Sequence, residues 1–212
     1  MPQPARLIDY PFIRGRRAVW REIVRYVERD VPQPCRLAVE LGPGYCDFIN
    51  QLNAGRKIAL DHNPITARHV AENVELLLGD AASLTGIEPD SADLIFASNF
   101  LEHLYEEQLD ALLPRIRAAL TDRGRLIVLQ PNYAKNPEHY FDDPTHVTIF
   151  TDVTLPAMLE RHGLRVLKVV AGLLPFTMNS LLPKTGLLTR AYLASPWKPL
   201  AGQMYAVACK RA

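Results

Sequence analysis

Three acidic residues stand where apolar runs end. Glu40-Leu41-Gly42-Pro43-Gly44 closes the run Arg36–Leu41, Asp61 closes Lys57–Leu60, and Asp80 follows Val74–Leu78 and Gly79. Glycines at a strand end let a ligand approach the backbone, because no Cβ intervenes. In a dinucleotide site a third glycine brings a helix N-terminus to a pyrophosphate. Counted as Gly42-x-Gly44-x-x, that position holds Asp47, whose carboxylate repels phosphate. Glu40 points the same way, toward a ligand carrying positive charge or hydroxyls. An acid at the second strand end accepts hydrogen bonds from both hydroxyls of a ribose, and Asp80 at the third can accept from an exocyclic amino group. Taken singly each acid also suits a helix cap or a turn. On three consecutive strand ends they describe a nucleoside site.

The elements that must carry them follow from hydrophobic pattern. Arg14–Arg29 has apolar residues at Val19, Ile23, Val24 and Val27, the spacing of a helix with a basic opposite face, stopped by Pro32 and Pro34. Short apolar runs then alternate with helical patterns. The expected strands are Arg36–Leu41, Lys57–Leu60, Val74–Leu78, Ala92–Ala97, Gly124–Gln130, Leu164–Val170 and Gln203–Cys209. The expected helices are Asp47–Leu52, Pro64–Glu72, Glu106–Leu120 and a segment capped by Thr151 running to His162, with a long polar loop over Asn132–His146. Near-continuous apolar strands separated by helices mean an α/β fold with a parallel sheet covered on both faces. Ligands in such sheets bind at the carboxyl ends of the strands, where Gly42, Gly44, Asp61, Asp80, Ser98, Asn99 and Pro131-Asn132 all fall.

The 212 residues carry a formal charge of +1, with 48% hydrophobic residues. That composition excludes a disordered chain and suits one domain. The near-neutral total hides a division. Residues 1–36 hold eight Arg against four acids, residues 37–160 eight basic residues against nineteen acids, and residues 161–212 eight basic residues and no acid. An acidic middle between basic ends fits either a solvated surface or an anionic partner. Cys35, Cys46 and Cys209 form no CxxC or zinc spacing, which argues against a disulfide framework and for a reducing compartment. The N-terminus has no signal-peptide pattern and no apolar run is long enough to span a membrane.

Taken in order, VELGPGYCDF, ALDHNP, LLGDAASL, ADLIFASNFLEHL and GRLIVLQPN resemble class I S-adenosylmethionine-dependent methyltransferases of the small type with Leu-Glu-His-Leu after the fourth strand. The resemblance covers about residues 36–170, with Cys46 where the family usually has glycine. It implies a Rossmann-like seven-stranded, mostly parallel sheet with the last strand antiparallel and helices on both faces. It implies S-adenosyl-L-methionine as cofactor, with Glu40, Gly42 and Gly44 beside the methionine moiety and Asp61, with its neighbour His62, at the ribose. Asp80 and Ala81 then contact adenine, and Asn99 and Phe100 lie near the methylthio group. The segment Tyr10–Arg17 is expected to fold over the cofactor, with Tyr10 closing the pocket and one of Arg14, Arg16 or Arg17 pairing with the cofactor carboxylate.

A sulfonium cofactor is already activated, so the enzyme chiefly holds a nucleophile in line with the methyl group; a hydroxyl nucleophile also needs a base. Asp143-Pro144-Thr145-His146 resembles a segment found in many of these methyltransferases, several of which act on sugars or glycolipids. His146 is the first candidate for base or substrate orienter, because imidazole titrates near neutral pH. Asp143 is expected to hold its ring or meet the acceptor, and His103 ranks third. The alternative is that Asp143 and Thr145 cap a turn and His146 packs structurally. A metal site from Glu102, His103, Asp142 and His146 is not demanded by their spacing, so no metal is expected.

One domain is therefore expected, with a cap helix over 1–35, a cofactor-binding core over 36–170, an apolar basic insertion over 171–202 and the last strand over 203–210. The insertion has three readings: a lid over the substrate pocket, a homodimer surface, or a peripheral contact with a membrane interface. The expected activity is methyl transfer, most simply to a hydroxyl oxygen of a sugar, glycolipid or other small-molecule or lipid-linked acceptor. The expected location is cytoplasmic, or peripheral at the inner face of the membrane. Nucleic acid is not expected as a partner, because an Asn-Pro-Pro-Tyr-like segment is missing and the sheet region is acidic. The alternatives are an NAD-dependent oxidoreductase and a non-catalytic protein that binds an adenosyl ligand.

Overall fold

A computed structural model describes residues 15–175 and 183–211. Seven strands form one sheet: β1 (Leu37–Leu41), β2 (Arg56–Asp61), β3 (Glu75–Leu78), β4 (Ala92–Ser98), β5 (Leu120–Pro131), β6 (Leu164–Pro175) and β7 (Ala201–Lys210), in the order β3-β2-β1-β4-β5-β7-β6. β3, β2, β1, β4 and β5 pair in parallel, and β7 runs antiparallel to both β5 and β6. This is the expected α/β sheet, last strand antiparallel included. The order reverses between β1 and its neighbours β2 and β4, which opens a crevice at the carboxyl ends of the strands. The chemistry of the opening residues is thereby gathered into one place.

Alternation along each strand feeds two apolar layers. Val39, Leu41, Ile58, Leu60, Ile95 and Val128 face one layer, closed by α2 (Glu106–Ala119) through Leu112 and Ile116 and by α3 (Thr154–Arg161) through Leu155 and Leu159. Ala38, Leu94, Phe96 and Ile127 face the other, closed by α1 (Arg16–Val27) through Val19, Ile23, Val24 and Val27. Phe48 stacks on Phe96 there, ring centroids 3.8 Å apart. β1 is buried at every position, as strands covered on both faces are.

Several local expectations give way. Residues 47–52 form a run of turns rather than a helix: the Ile49 amide donates to the Glu40 carboxylate at 3.0 Å instead of to a preceding carbonyl. The expected helix Pro64–Glu72 is only a 3-10 turn over Pro64–Arg68, opened by the Asn63 side chain accepting from the Ile65 amide. Thr151 takes part in the turn before α3, accepting from the Val153 and Thr154 amides, but the helix starts at Thr154, and Asp152 instead accepts from the Asn132 side chain at 2.8 Å. The sixth strand runs on to Pro175 and the seventh begins at Ala201, so the sheet takes both ends of the segment 171–202. Between them lies α4 (Gly186–Ala194), capped by the Thr185 hydroxyl and packed against α1. Short prolines on either side hid a helix of nine residues.

α4 also uses the charges of that segment internally. Arg190 forks onto buried Glu22 of α1 at 2.9 and 3.1 Å, and Arg25 reaches the same carboxylate at 2.6 Å. The Arg190 guanidinium holds the Glu22 carboxyl below the usual range, against the pull of burial. Lys198 Nζ donates to the carbonyls of Tyr192, Leu193 and Ser195, at and just beyond the C-terminus of α4, where intrahelical amides run out.

Candidate functional site

The glycine loop after β1 turns back over the strand ends in the left-handed region, with φ 60° at Gly42, 51° at Gly44 and 55° at Cys46. The Gly42 amide donates to the Leu60 carbonyl at 3.0 Å, and the Gly44 amide to Asp61 Oδ2 at 3.3 Å. The two glycines differ in what a side chain would meet. A Cβ on Gly42 would lie 2.6 Å from Phe100 Cδ2, whereas one on Gly44 would meet nothing within 4 Å. Gly44 thus borders open space at the strand ends, and Phe100 closes over Gly42. Gly42→Ala is expected to lower the melting temperature by several degrees, from backbone strain of about 1–2 kcal/mol plus the clash with Phe100. Gly44→Ala is expected to bear the strain alone, and so to unfold at a higher temperature than Gly42→Ala when the two are scanned together.

Glu40 is buried beneath this loop and its Oε2 accepts from the Ile49 amide. Burial pushes its carboxyl well above the ordinary value of 4.5; the Ile49 amide opposes the rise, and Asp47 and Asp61 add to it. The folded state therefore keeps a proton that the unfolded chain releases near pH 4.5, so stability falls as pH rises above that value. Glu40→Gln removes this dependence. Thermal scans from pH 5 upward are expected to show the wild type losing ground steadily against the variant.

Asp61 is buried at the end of β2 and already holds three protein groups: Asn63 N–H on Oδ1 at 2.9 Å, and the Thr66 hydroxyl and Gly44 N–H on Oδ2 at 2.9 and 3.3 Å. A carboxylate accepts about four hydrogen bonds, so two ribose hydroxyls fit only if the long Gly44 contact opens. His62 is exposed beside it, Nδ1 3.8 Å from Asp61 Oδ1. Asp80 caps a 3-10 turn, accepting from Ala82 N–H at 2.9 Å, and Ala81 is buried within that turn. Asn99, after β4, takes φ 47° and accepts from Gln203 of β7 at 3.2 Å. Tyr10 lies outside the described residues, as does Arg14. Arg16 is held at the loop by Asp47, Nε to Oδ2 2.5 Å, with its guanidinium 5.0 Å from the Tyr45 ring. Asp47 is therefore paired, which weakens the inference that its charge alone repels a pyrophosphate.

Beyond β4, the Leu101–His103 turn meets the loop after β5. The Glu102 carbonyl accepts from Val147 and Thr148 N–H at 2.9 and 3.1 Å, which docks the two segments together. The rings of His103 and His146 lie 4.9 Å apart. Asp143 does not hold the His146 ring. Its Oδ1 accepts from the Thr145 amide and hydroxyl, and Thr145 contacts His103 Nδ1 through its hydroxyl at 2.9 Å and its carbonyl at 3.2 Å. His146 is buried, with Nδ1 2.5 Å from the Tyr140 carbonyl and Nε2 3.9 Å from Glu102 Oε1. His103 is the partly exposed imidazole; burial lowers its pKa and the nearby His146 adds to that, against Thr145, Asp143 and the Asn99 backbone. Burial pushes the Glu102 carboxyl up to about 8. Asp142 stands apart, paired with His139 at 2.9 Å.

The sequence ranks His146 above His103 and gives Glu102 only a place in a metal site that the spacing does not demand. The adjacent pair Glu102-His103 was the available signal; that Thr145 would join Asp143 to His103 depended on how two loops dock. Gln130, buried at the end of β5 with neither amide atom partnered among the described residues, carried no sequence signal at all.

The sheet order and the loops at its carboxyl ends define a class I methyltransferase fold. Residues 39–128 match the family model described as a methyltransferase domain. An S-adenosylmethionine-dependent methyltransferase of Archaeoglobus fulgidus is similar over 92% of this chain and 94% of its own, at 21% identity and a TM-score of 0.67. One of Thermotoga maritima is similar over 93% and 91%, at 16% identity and 0.68. A chain of the Haloferax volcanii complex between the Trm112 methyltransferase activator and a methyltransferase is similar over 91% and 90%, at 15% identity and 0.69. No curated protein matches. These likenesses show that the chain shares the fold of those methyltransferases.

Proposed function

We propose that the protein transfers a methyl group from S-adenosyl-L-methionine to a hydroxyl oxygen of a small amphiphilic acceptor, such as a sugar or glycolipid. The observation that supports it best is the line of strand-end groups, Glu40, the open face of Gly44, Asp61 and Asp80, leading to His103 and its Thr145–Asp143 support.

In this reading Asp61 accepts from the ribose, with His62 flanking it. Asp80 and Ala81 border adenine. Glu40 and the glycine loop border the methionine moiety, where the cofactor's positive charge favours the ionised carboxylate. Asn99 and Phe100 line the methylthio region. The chain's contribution to rate is alignment of acceptor oxygen and methyl group, which supplies several kcal/mol. His103, half-open and held by Thr145, meets the acceptor hydroxyl and takes up its proton; His146 packs behind it. The ranking of the two imidazoles is thus reversed from the sequence reading, because His146 is buried.

The segment 183–200 supports an apolar acceptor or a lipid surface: Leu187, Trp197 and Leu200 are largely exposed on it, while Arg190 and Lys198 are engaged within the protein. No helix among the described residues is long and apolar enough to cross a membrane. The test is transfer of labelled methyl from S-adenosylmethionine to a panel of hydroxylated sugars, glycolipids and phenols, with amines as the comparison. Transfer to hydroxyls supports the reading, and transfer to amines alone overturns the oxygen assignment.

A further inference from the structure

The Glu102 side chain is fully buried, and neither of its oxygens has a hydrogen-bond partner among the described residues. A carboxylate in that position is costly unless something compensates it. Two imidazoles surround it. One donor atom from each of Glu102, His103 and His146 lies within 4.8 Å of the others. His146 Nε2 is 3.9 Å from Glu102 Oε1, too far for a hydrogen bond. The three groups leave a gap between them rather than bonding to one another.

The outer contacts orient both rings toward such a gap. His146 Nδ1 faces the Tyr140 carbonyl, which can only accept, so Nδ1 carries the proton and Nε2 the lone pair. His103 Nδ1 faces the Thr145 carbonyl and a Thr145 hydroxyl whose own proton goes to Asp143 Oδ1. His103 therefore also keeps its lone pair on Nε2. An imidazole that donates through one nitrogen to a carbonyl or a carboxylate-linked group is the arrangement that fixes metal-ligating histidines. The docking of the Val147 and Thr148 amides on the Glu102 carbonyl holds the two ligand-bearing segments in register.

We propose that Glu102, His103 and His146 bind one divalent first-row transition ion, departing from the sequence expectation of no metal. Two imidazoles and a carboxylate suit Zn²⁺, Co²⁺, Mn²⁺ or Fe²⁺, whereas Mg²⁺ and Ca²⁺ prefer oxygen donors. Metal–ligand distances of about 2.0–2.2 Å require the three donors to draw inward by an ångström or so. Three protein ligands leave a position open, on the side where His103 is exposed. Binding of the ion stands independently of the acceptor assignment; with the ion in place His103 Nε2 is a ligand and no longer free to take the acceptor proton, and the ion's role in holding and polarising the acceptor oxygen rests on the proposed methyl transfer.

The experiment titrates metal-stripped full-length protein with Co²⁺, followed by visible absorption, and then competes the bound Co²⁺ with Zn²⁺. One equivalent is expected to bind with intense visible bands and to be displaced by Zn²⁺. Glu102→Gln and His103→Ala are expected to abolish stoichiometric binding. Thr145→Val, which keeps all three ligands and removes one outer contact, is expected to weaken it about 10–100-fold. Because Glu102 is buried, circular dichroism accompanies each variant, and the partly exposed His103 provides the variant that keeps its fold. No stoichiometric uptake by the wild type, or undiminished uptake by folded His103→Ala, overturns the proposal. S-adenosylmethionine titrated into the same samples separates the readings: cofactor binding without Co²⁺ uptake removes the ion and leaves the methyltransferase.

Discussion

Asp61→Ala is expected to weaken S-adenosylmethionine binding by at least about 100-fold, measured calorimetrically. A hydrogen bond to a charged acceptor is worth about 1.5–3 kcal/mol, and 1.4 kcal/mol is tenfold in affinity. The side chain also does structural work, holding Asn63, Thr66 and Gly44 around itself. Its removal disorganises the glycine loop as well as the proposed ribose contact. Thr66→Val is the control: it removes one of those supports and leaves the carboxylate, so affinity is expected to change less than tenfold. Equal losses in both variants would assign Asp61 a purely structural role.

His103→Ala is expected to lower turnover by about 10²–10⁴-fold, the range a positioned acid–base group supplies, while cofactor affinity stays within a few-fold of wild type. The ring stands at the carboxyl end of β4, partly exposed, with its tautomer set by Thr145 and Asp143. The reading as proton acceptor and the reading as metal ligand both predict this loss. They part on Asp143→Asn and on added metal: activity that depends on Zn²⁺ or Co²⁺ assigns the ring to the ion. Full turnover by His103→Ala would remove it from the chemistry and return attention to His146.

Much of this was legible in the residues because the informative signals were local. A buried parallel strand shows as a nearly continuous apolar run, so LAVEL and ADLIFA announced themselves, and acids at the ends of such runs marked the crevice. Length was less legible. β6 extends to Pro175 because the antiparallel β7 supplies partners there, and β5 begins early because Leu120 pairs with Ala92 of β4, neither of which a local pattern predicts. The turns at 47–52 share the composition of a short helix, and a tertiary bond from Glu40 decides against it. The charge of +1 was least legible of all. Arg16, Arg190 and Lys198 looked like a basic surface, and each is engaged by a partner in another turn or helix of the same molecule. The grouping of Glu102, His103 and His146 rests on two segments more than forty residues apart in the chain docking through backbone bonds, which spacing alone does not encode.

The central claim is that the strand-end crevice holds an adenosyl cofactor. Isothermal titration with S-adenosylmethionine and S-adenosylhomocysteine, with NAD as comparison, tests it most directly. The account predicts one site for each adenosyl ligand, none for NAD, and loss of both in Asp61→Ala. Absence of heat with either adenosyl ligand on folded wild-type protein, or binding of NAD in their place, would contradict it.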